Sequence, residues 1–238
     1  MSERFYFRQL LAGRDFAVGD AIATSMRNFT YAFGDRESGD AILVDPAYRP
    51  DELVQMVTAD DMSVKGVIAT HYHPDHVGGT LMAQQHIAGV AELREIVEVP
   101  IHVQAEELEW IAARTGLNEA AFTVHHHRDV LHVGDVEVTL LHTPGHTPGS
   151  QCVHVQSRLL SGDTLFIDGC GRTDLPGGDA LEMYRSLSER LAEISDDTVL
   201  FPGHLYSPEP SLSMGQVRER NYVLAPRNSE QWLAAFGS

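Results

Sequence analysis

The chain has 238 residues, 43% of them hydrophobic and 21% charged, with a formal net charge of −17. That length buries a sizeable core, and the negative balance repels phosphate backbones and anionic lipid surfaces, so neither nucleic acid nor a membrane is expected as a partner. Two cysteines make no disulfide framework, no run approaches the ~20 apolar residues of a bilayer span, and the first residues lack a signal-peptide apolar core, so a cytoplasmic protein is expected.

In chain order, NFTYAF (28–33) and AILVDP (41–46) read as strands. A helix over 50–59 and a strand, GVIATH (66–71), follow. Next come a helix over 77–88, the strand IHVQ (101–104) and a helix over 105–115 that opens AEELEWIAA. VEVTLLH (136–142), CVHV (152–155) and LLSGD (159–163) are strands, and GDALEMYRSLSERLAEI carries a helix over 179–194. TVLFPGH (198–204) is the last strand, with a helix over 211–222 behind it. The stretch 91–116 reads as an insertion able to lid a site, and VHHHRDV (124–130) as an exposed strand. Met56, Met62, Met82 and Met183 read as core fillers. No linker or repeat divides the chain, so one domain over 1–238 is expected, ending in a short helical tail at about 208–238. Strands mixed with single helices predict sheets covered by helices, with chemistry at the strand ends.

The densest chemistry lies in THYHPDHVGG (70–79), where His71, His73, Asp75 and His76 follow a strand and lead into a helix opened by Pro74. Neutral imidazole and carboxylate are ligand types for zinc, iron or manganese. A lone histidine in such a loop would be incidental; three with an aspartate are not. His146 in HTPGHTPGS, Asp163 ending RLLSGD and His204 ending TVLFPGH also stand at strand termini. Together these seven side chains suffice for two ions once water completes the coordination. His125, His126 and His127 are adjacent, but alternate ones face opposite sides of extended chain, so no third site is assigned there.

THYHPDH, TPGHTPGS, SGDTLF and FPGH, in that order, resemble the metallo-β-lactamase-fold superfamily across about 42–206. The resemblance implies an α/β fold, the αββα sandwich, with a metal site at one edge between two sheets. It implies one ion on His71, His73 and His146, a second on Asp75, His76 and His204, and Asp163 bridging them. The cofactors implied are two divalent ions, zinc and/or iron. Asp45, in ILVDPA, matches an acidic position just behind the ligands.

No G-x-S-x-G nucleophile is present. The expected nucleophile is therefore a metal-bound hydroxide, since coordination lowers the pKa of water from ~15.7 toward ~7. Two ions would also polarise a substrate carbonyl, and Asp75 would orient the attacking water. The stretch GDTLFIDGCGRTDLPGGD (162–179) looks like the loop after the bridging aspartate in glyoxalase II and in persulfide dioxygenases. By that likeness Arg172 and Tyr206 bind the glutathione part of a substrate; the plainer alternatives are an ion pair of Arg172 with Asp168 or Asp174, and packing for Tyr206. Hydrolysis of a small thioester, or a related ester, is the first expectation. The second is a persulfide dioxygenase with a single Fe(II) on His71, His146 and Asp163, the other ligand positions being retained there as well, acting on a low-molecular-weight thiol persulfide. A non-catalytic metal sensor is the third. The chain after His204 is shorter than the helical C-terminal domain of typical glyoxalase II, leaving Arg218 and Arg220, read as a solvated helix face, as the local basic residues. The expected partner is a small thiol-derived molecule, and a homodimer is left open.

Overall fold

The computed structural model describes residues 4–81, 85–226 and 228–237. Its strands are β1 (Phe5–Leu11), β2 (Phe29–Asp35), β3 (Asp40–Val44), β4 (Ser63–Ile68), β5 (Gly79–Leu81), β6 (Gln85–Ile87) and β7 (Ile101–Gln104). They continue as β8 (Phe122–His125), β9 (Asp129–Val133), β10 (Val136–His142), β11 (Gln151–Val155), β12 (Arg158–Gly162), β13 (Val199–Pro202) and β14 (Leu212–Ser213). The helices are α1 (Ala21–Met26), α2 (Pro50–Ala59), α3 (Pro74–Val77), α4 (Val90–Ile96), α5 (Leu108–Thr115), α6 (Ala180–Arg185), α7 (Met214–Arg220) and α8 (Ser229–Phe236).

Two six-stranded sheets form, in the orders β1-β2-β3-β4-β7-β8 and β14-β13-β12-β11-β10-β9. The two-residue period of a strand sorts each sheet's side chains between two layers. On β2, Phe29, Tyr31 and Phe33 enter the layer between the sheets, whereas Ala32 faces the helices of the first half. On β3, Ile42 and Val44 point to the partner sheet, and Ala41 and Leu43 point away from it. In the second sheet Val138, Leu140, Val153, Val155 and Leu160 fill the same middle layer, while Leu141, Cys152 and Leu159 pack under the C-terminal helices. Three apolar layers separate helix, sheet, sheet and helix. The αββα sandwich is the fold.

Three expectations need correcting. The helix over 77–88 does not form: α3 ends at Val77 after one turn, and β5 pairs antiparallel with β6. Gly78 and Gly79 adopt φ of 86° and 110°, which break the helix at that point. Residues 82–84, Met82 among them, lie outside the described residues. The stretch 91–116 is not a lid, because β7 pairs with both β4 and β8 inside the first sheet, with Leu93, Ile101, Val103 and Ile111 in its core. The run 124–130 is two strand ends joined by a turn, with Arg128 at φ 69° between β8 and β9. The C-terminal stretch adds β14 to the edge of the second sheet, and α8 buries Trp232, whose indole N–H donates to Val223 O at 3.0 Å. Among the described residues no helix is long and apolar enough to cross a membrane.

His125 meets a second imidazole. His102 Nδ1 on β7 and His125 Nε2 on β8 lie 2.9 Å apart across the parallel pair. Burial, then the neighbouring His125, lowers His102 from its ordinary 6.5 to about 4. The folded state thus binds this proton less readily than the unfolded chain. Stability should be full above about pH 6.5 and fall as the pH drops toward 4. Urea unfolding at stepped pH should show the wild type losing up to about 3 kcal/mol more than His102→Gln across that window. Parallel curves for the two proteins would remove the assignment.

Candidate metal centre

The predicted ligands stand where strands run out. β4 ends at Ile68, and the extended stretch to His73 throws His71 and His73 to one side; His73 then precedes α3, whose first residue is Pro74. That single turn brings Asp75 and His76 to the same point. His146 sits in the Pro/Gly turn between β10 and β11, Asp163 directly after β12, and His204 just beyond β13. A bridge between Asn28 and His204 ties the last loop to the start of β2.

All seven converge. Ligand atoms lie within 4.8 Å of one another in each of three groups: His71–His73–His146, His71–His76–Asp163 and Asp75–His76–His204. His73 Nδ1 is 2.9 Å from His146 Nε2, and His76 Nε2 is 3.2 Å from His204 Nε2. Asp163 spans the halves, with Oδ2 3.7 Å from His146 Nε2 and 3.4 Å from His204 Nε2, and Oδ1 3.4 Å from His76 Nε2. Tetrahedral ligands at ~2.0–2.1 Å from one ion stand about 3.3 Å apart, the spacing these atoms cluster around. Two inward atoms, His71 Nε2 and Asp163 Oδ1, are buried without a hydrogen-bond partner. Buried polar atoms left so are rare, and a cation satisfies both. The donor set fits metal.

Behind the proposed ligands, the outward nitrogens of His71, His76, His146 and His204 each have an acceptor, which fixes the tautomer and aims the other nitrogen inward. His76 Nδ1 donates to Asp45 Oδ2 at 2.9 Å, His204 Nδ1 to Met26 O at 2.8 Å and His146 Nδ1 to Arg172 O at 2.7 Å. His71 Nδ1 lies 3.0 Å from Thr70 Oγ1, whose hydroxyl donates to Asp45 Oδ2 at 2.6 Å. Asp45 also accepts from Thr70 N at 2.7 Å, so one buried carboxylate steadies two ligand histidines. Asn28 and Tyr48 were not singled out in the sequence. Asn28 Nδ2 donates to Asp75 Oδ2 at 3.0 Å, and the Tyr48 hydroxyl donates to Asn28 Oδ1 at 2.7 Å. NFTYAF signals a strand, and nothing local marks its first residue as a neighbour of Asp75.

The two halves differ electrically. Burial, joined by the other imidazoles, holds His71 well below its ordinary value and His73 down to about 3, so both are neutral and ready to ligate. Burial also disfavours the His76 cation, but the carboxylates of Asp163, Asp75 and Asp45 outweigh it and push His76 up to about 10. The same contest, against Asp163 and Asp75, raises His204. Carboxylates that draw protons onto two imidazoles make a field that a divalent cation answers as well.

At the rim, Arg172 is exposed and paired with Asp174 at 2.9 and 2.7 Å; Asp168 is instead held by Arg220. Tyr206 stacks on His204, with ring centroids 4.6 Å apart and planes 9° from parallel, and remains 52% exposed, so it is not a packed side chain. Arg218 binds Asp196 and the carbonyls of Leu191 and Ile194, and Arg220 binds Glu209, which occupies both. Beside His73, Tyr72, Trp110, Arg114 and Pro176 line an open groove of about 500 Å³. Burial pushes the Cys170 thiol up to about 12, which favours the protonated thiol.

A profile of the Metallo-beta-lactamase superfamily matches residues 28–204. The chain belongs to that superfamily. Hydroxyacylglutathione hydrolase GloC of Haemophilus influenzae is 30% identical over 170 residues, 69% of this chain and 79% of its own. The mitochondrial persulfide dioxygenase ETHE1 of Mus musculus is 30% identical over 207 residues, 84% of this chain and 70% of its own. The crystal structure of ETHE1 from Myxococcus xanthus matches with a TM-score of 0.79 at 27% identity, over 98% of this chain and 90% of that one. Hydrolase and dioxygenase relatives thus stand at equal identity. Membership makes this metallo-β-lactamase-fold chain a metal-dependent enzyme of hydrolase or oxygenase type, and its His/Asp clusters are able to bind that metal.

Proposed function

We propose that the chain is a binuclear metal-dependent hydrolase of small thioesters. The observation that carries this reading is the complete second cluster, Asp75–His76–His204, set against the first and spanned by Asp163. His71, His73 and His146 would hold one ion, Asp75, His76 and His204 the other, and Asp163 both. Bound there, the ions would supply Lewis acidity that acidifies water and polarises a carbonyl. Asp75, oriented by Asn28, would take up the proton of the attacking water at its carboxylate. Arg172 would leave its exposed pairing with Asp174 for a substrate carboxylate, to which its planar fork is matched. The Tyr206 ring, half exposed above His204, would flank the same substrate.

One observation favours a second reading, a mononuclear iron persulfide dioxygenase. The likeness to the Myxococcus xanthus ETHE1 structure covers 98% of the chain, and the GCGRTD loop lies against His146. Metal analysis combined with an oxygen electrode separates the two. The hydrolase should carry two divalent ions per chain and release thiol from a glutathione thioester without consuming oxygen. One iron per chain with persulfide-dependent oxygen uptake would overturn it. Arg172→Ala should raise KM for the anionic thioester more than it lowers kcat; an unchanged KM would return Arg172 to its pairing with Asp174.

A further inference from the structure

A buried carboxylate outside the seven ligands joins the two loops that carry His71, His73 and His146. Glu107, in the short 3₁₀ turn Ala105–Glu107 before α5, has no exposed surface. Its Oε1 accepts from the backbone N–H of Tyr72 at 2.6 Å, and Tyr72 lies between His71 and His73. Oε1 and Oε2 accept from the Thr147 hydroxyl at 2.9 and 3.0 Å, and Oε2 accepts from Gly149 N–H at 2.7 Å. Thr147 directly follows His146, and its hydroxyl lies 2.8 Å from Ser150 Oγ, within the same turn. The partners are thus backbone and hydroxyl donors on two separate loops.

We propose that Glu107 is a positioning residue for the first ion: it staples the His71–His73 loop to the His146 loop and so sets the separation of those three ligands. This rests on reading His71, His73 and His146 as one ion's ligands. The chemistry of the staple is specific to a carboxylate. Both its oxygens accept, whereas a glutamine of the same shape offers one oxygen and an NH₂ group. Either Tyr72 N–H or Gly149 N–H would then face another donor, and a buried donor without an acceptor is destabilising. The loop carrying it would shift to find water or another partner, taking its histidine out of register. Among the described residues no hydrogen bond or ion pair joins Glu107 to Asp75, His76 or His204, and these should keep their arrangement.

The test is Co(II) titration of the metal-free full chain, followed by visible absorption, for the wild type, Glu107→Gln and Thr147→Val. The wild type should bind Co(II) with the spectrum of an ordered site. Glu107→Gln should weaken one equivalent of Co(II) by about 10–100-fold, the usual cost of losing a group that orients ligands. It should also change that equivalent's spectrum, with the other equivalent within about twofold of wild type. Thr147→Val, which removes one donor, should shift affinity and spectrum the same way by less, and it decides the matter if Glu107→Gln does not fold. A purely structural Glu107 would lower the melting temperature of the metal-free protein and leave both the Co(II) spectrum and affinity at wild-type values, and that result would overturn the proposal. If the wild type takes up no Co(II), the metal reading fails first and this inference goes with it.

Discussion

Asp163→Ala should cost the protein both metal and turnover together. Among the described residues Asp163 is the one side chain whose two oxygens approach imidazoles of both clusters, at 3.4 Å from His76 and His204 and 3.7 Å from His146. Groups that only orient ligands are worth about 10–100-fold in metal affinity, so a ligand shared by two ions should be worth more than about 100-fold for the pair. Electrostatics adds to that. Burial disfavours the Asp163 anion, but His204, His76 and the other imidazoles hold its carboxyl well below the usual range, so it is fully charged where cations would sit. Removing it leaves Asp75 as the remaining carboxylate beside the inward Nε2 atoms of His76 and His204, Asp45 lying on the outward side of His76. Elemental analysis of dialysed protein should find less than one ion per chain in the variant, with thioester turnover lost in parallel. Asp163→Asn, which keeps one oxygen, should retain metal better than Asp163→Ala. Full metal content and normal turnover in Asp163→Ala would dismiss the bridging role.

How much of this was readable in the chain depends on where each partner lies. The seven proposed ligands were legible because four crowd into 71–76 beyond β4 and the other three stand in short loops just past β10, β12 and β13, and ligand-type side chains past an apolar strand are a local signal. Asp45 was visible by the same rule, one residue past β3. The residues that hold the ligands in place were not. Asn28 reaches Asp75 across 47 positions, and Glu107 reaches Tyr72, Thr147 and Gly149 across 35, 40 and 42. Those contacts exist only after both sheets have assembled. AEELEWIAA announces a helix but not which of its acidic residues will be buried. The pairing of β5 and β6 was missed for a different reason. TLMAQQHIA is rich in helix formers, but Gly78 and Gly79 before it end the helix and leave 79–81 to pair with 85–87. The insertion-like stretch 91–116 misled in a related way: IHVQ is short, and only its pairing on both sides reveals it as part of the sheet.

The loop GCGRTD offers the other large expected effect, and it explains why that loop is spelled with glycine beside Arg172. A Cβ placed on Gly171 would come within 2.1 Å of Asp163 O, 2.9 Å of His146 Nδ1 and 3.0 Å of His146 Cγ. Two of these neighbours belong to a ligand ring, and the nearest is the backbone of another ligand, so none can swing aside as a flexible side chain would. Gly171→Val should therefore push the loop outward or force the His146 ring to rotate. Either way it breaks the 2.7 Å bond from His146 Nδ1 to Arg172 O that aims Nε2 inward. Overpacking of a well-filled site costs about 1–3 kcal/mol and sometimes more, and here the clash with backbone argues for the upper end. The expected outcome is a lowered melting temperature together with loss of the ion on His71, His73 and His146. Metal content and thermal unfolding of Gly171→Ala and Gly171→Val measure it, with valine the worse of the two. Wild-type values for both variants would mean that the substrate loop is not wedged against the metal ligands, and Arg172 would then have no fixed relation to the site it is proposed to serve.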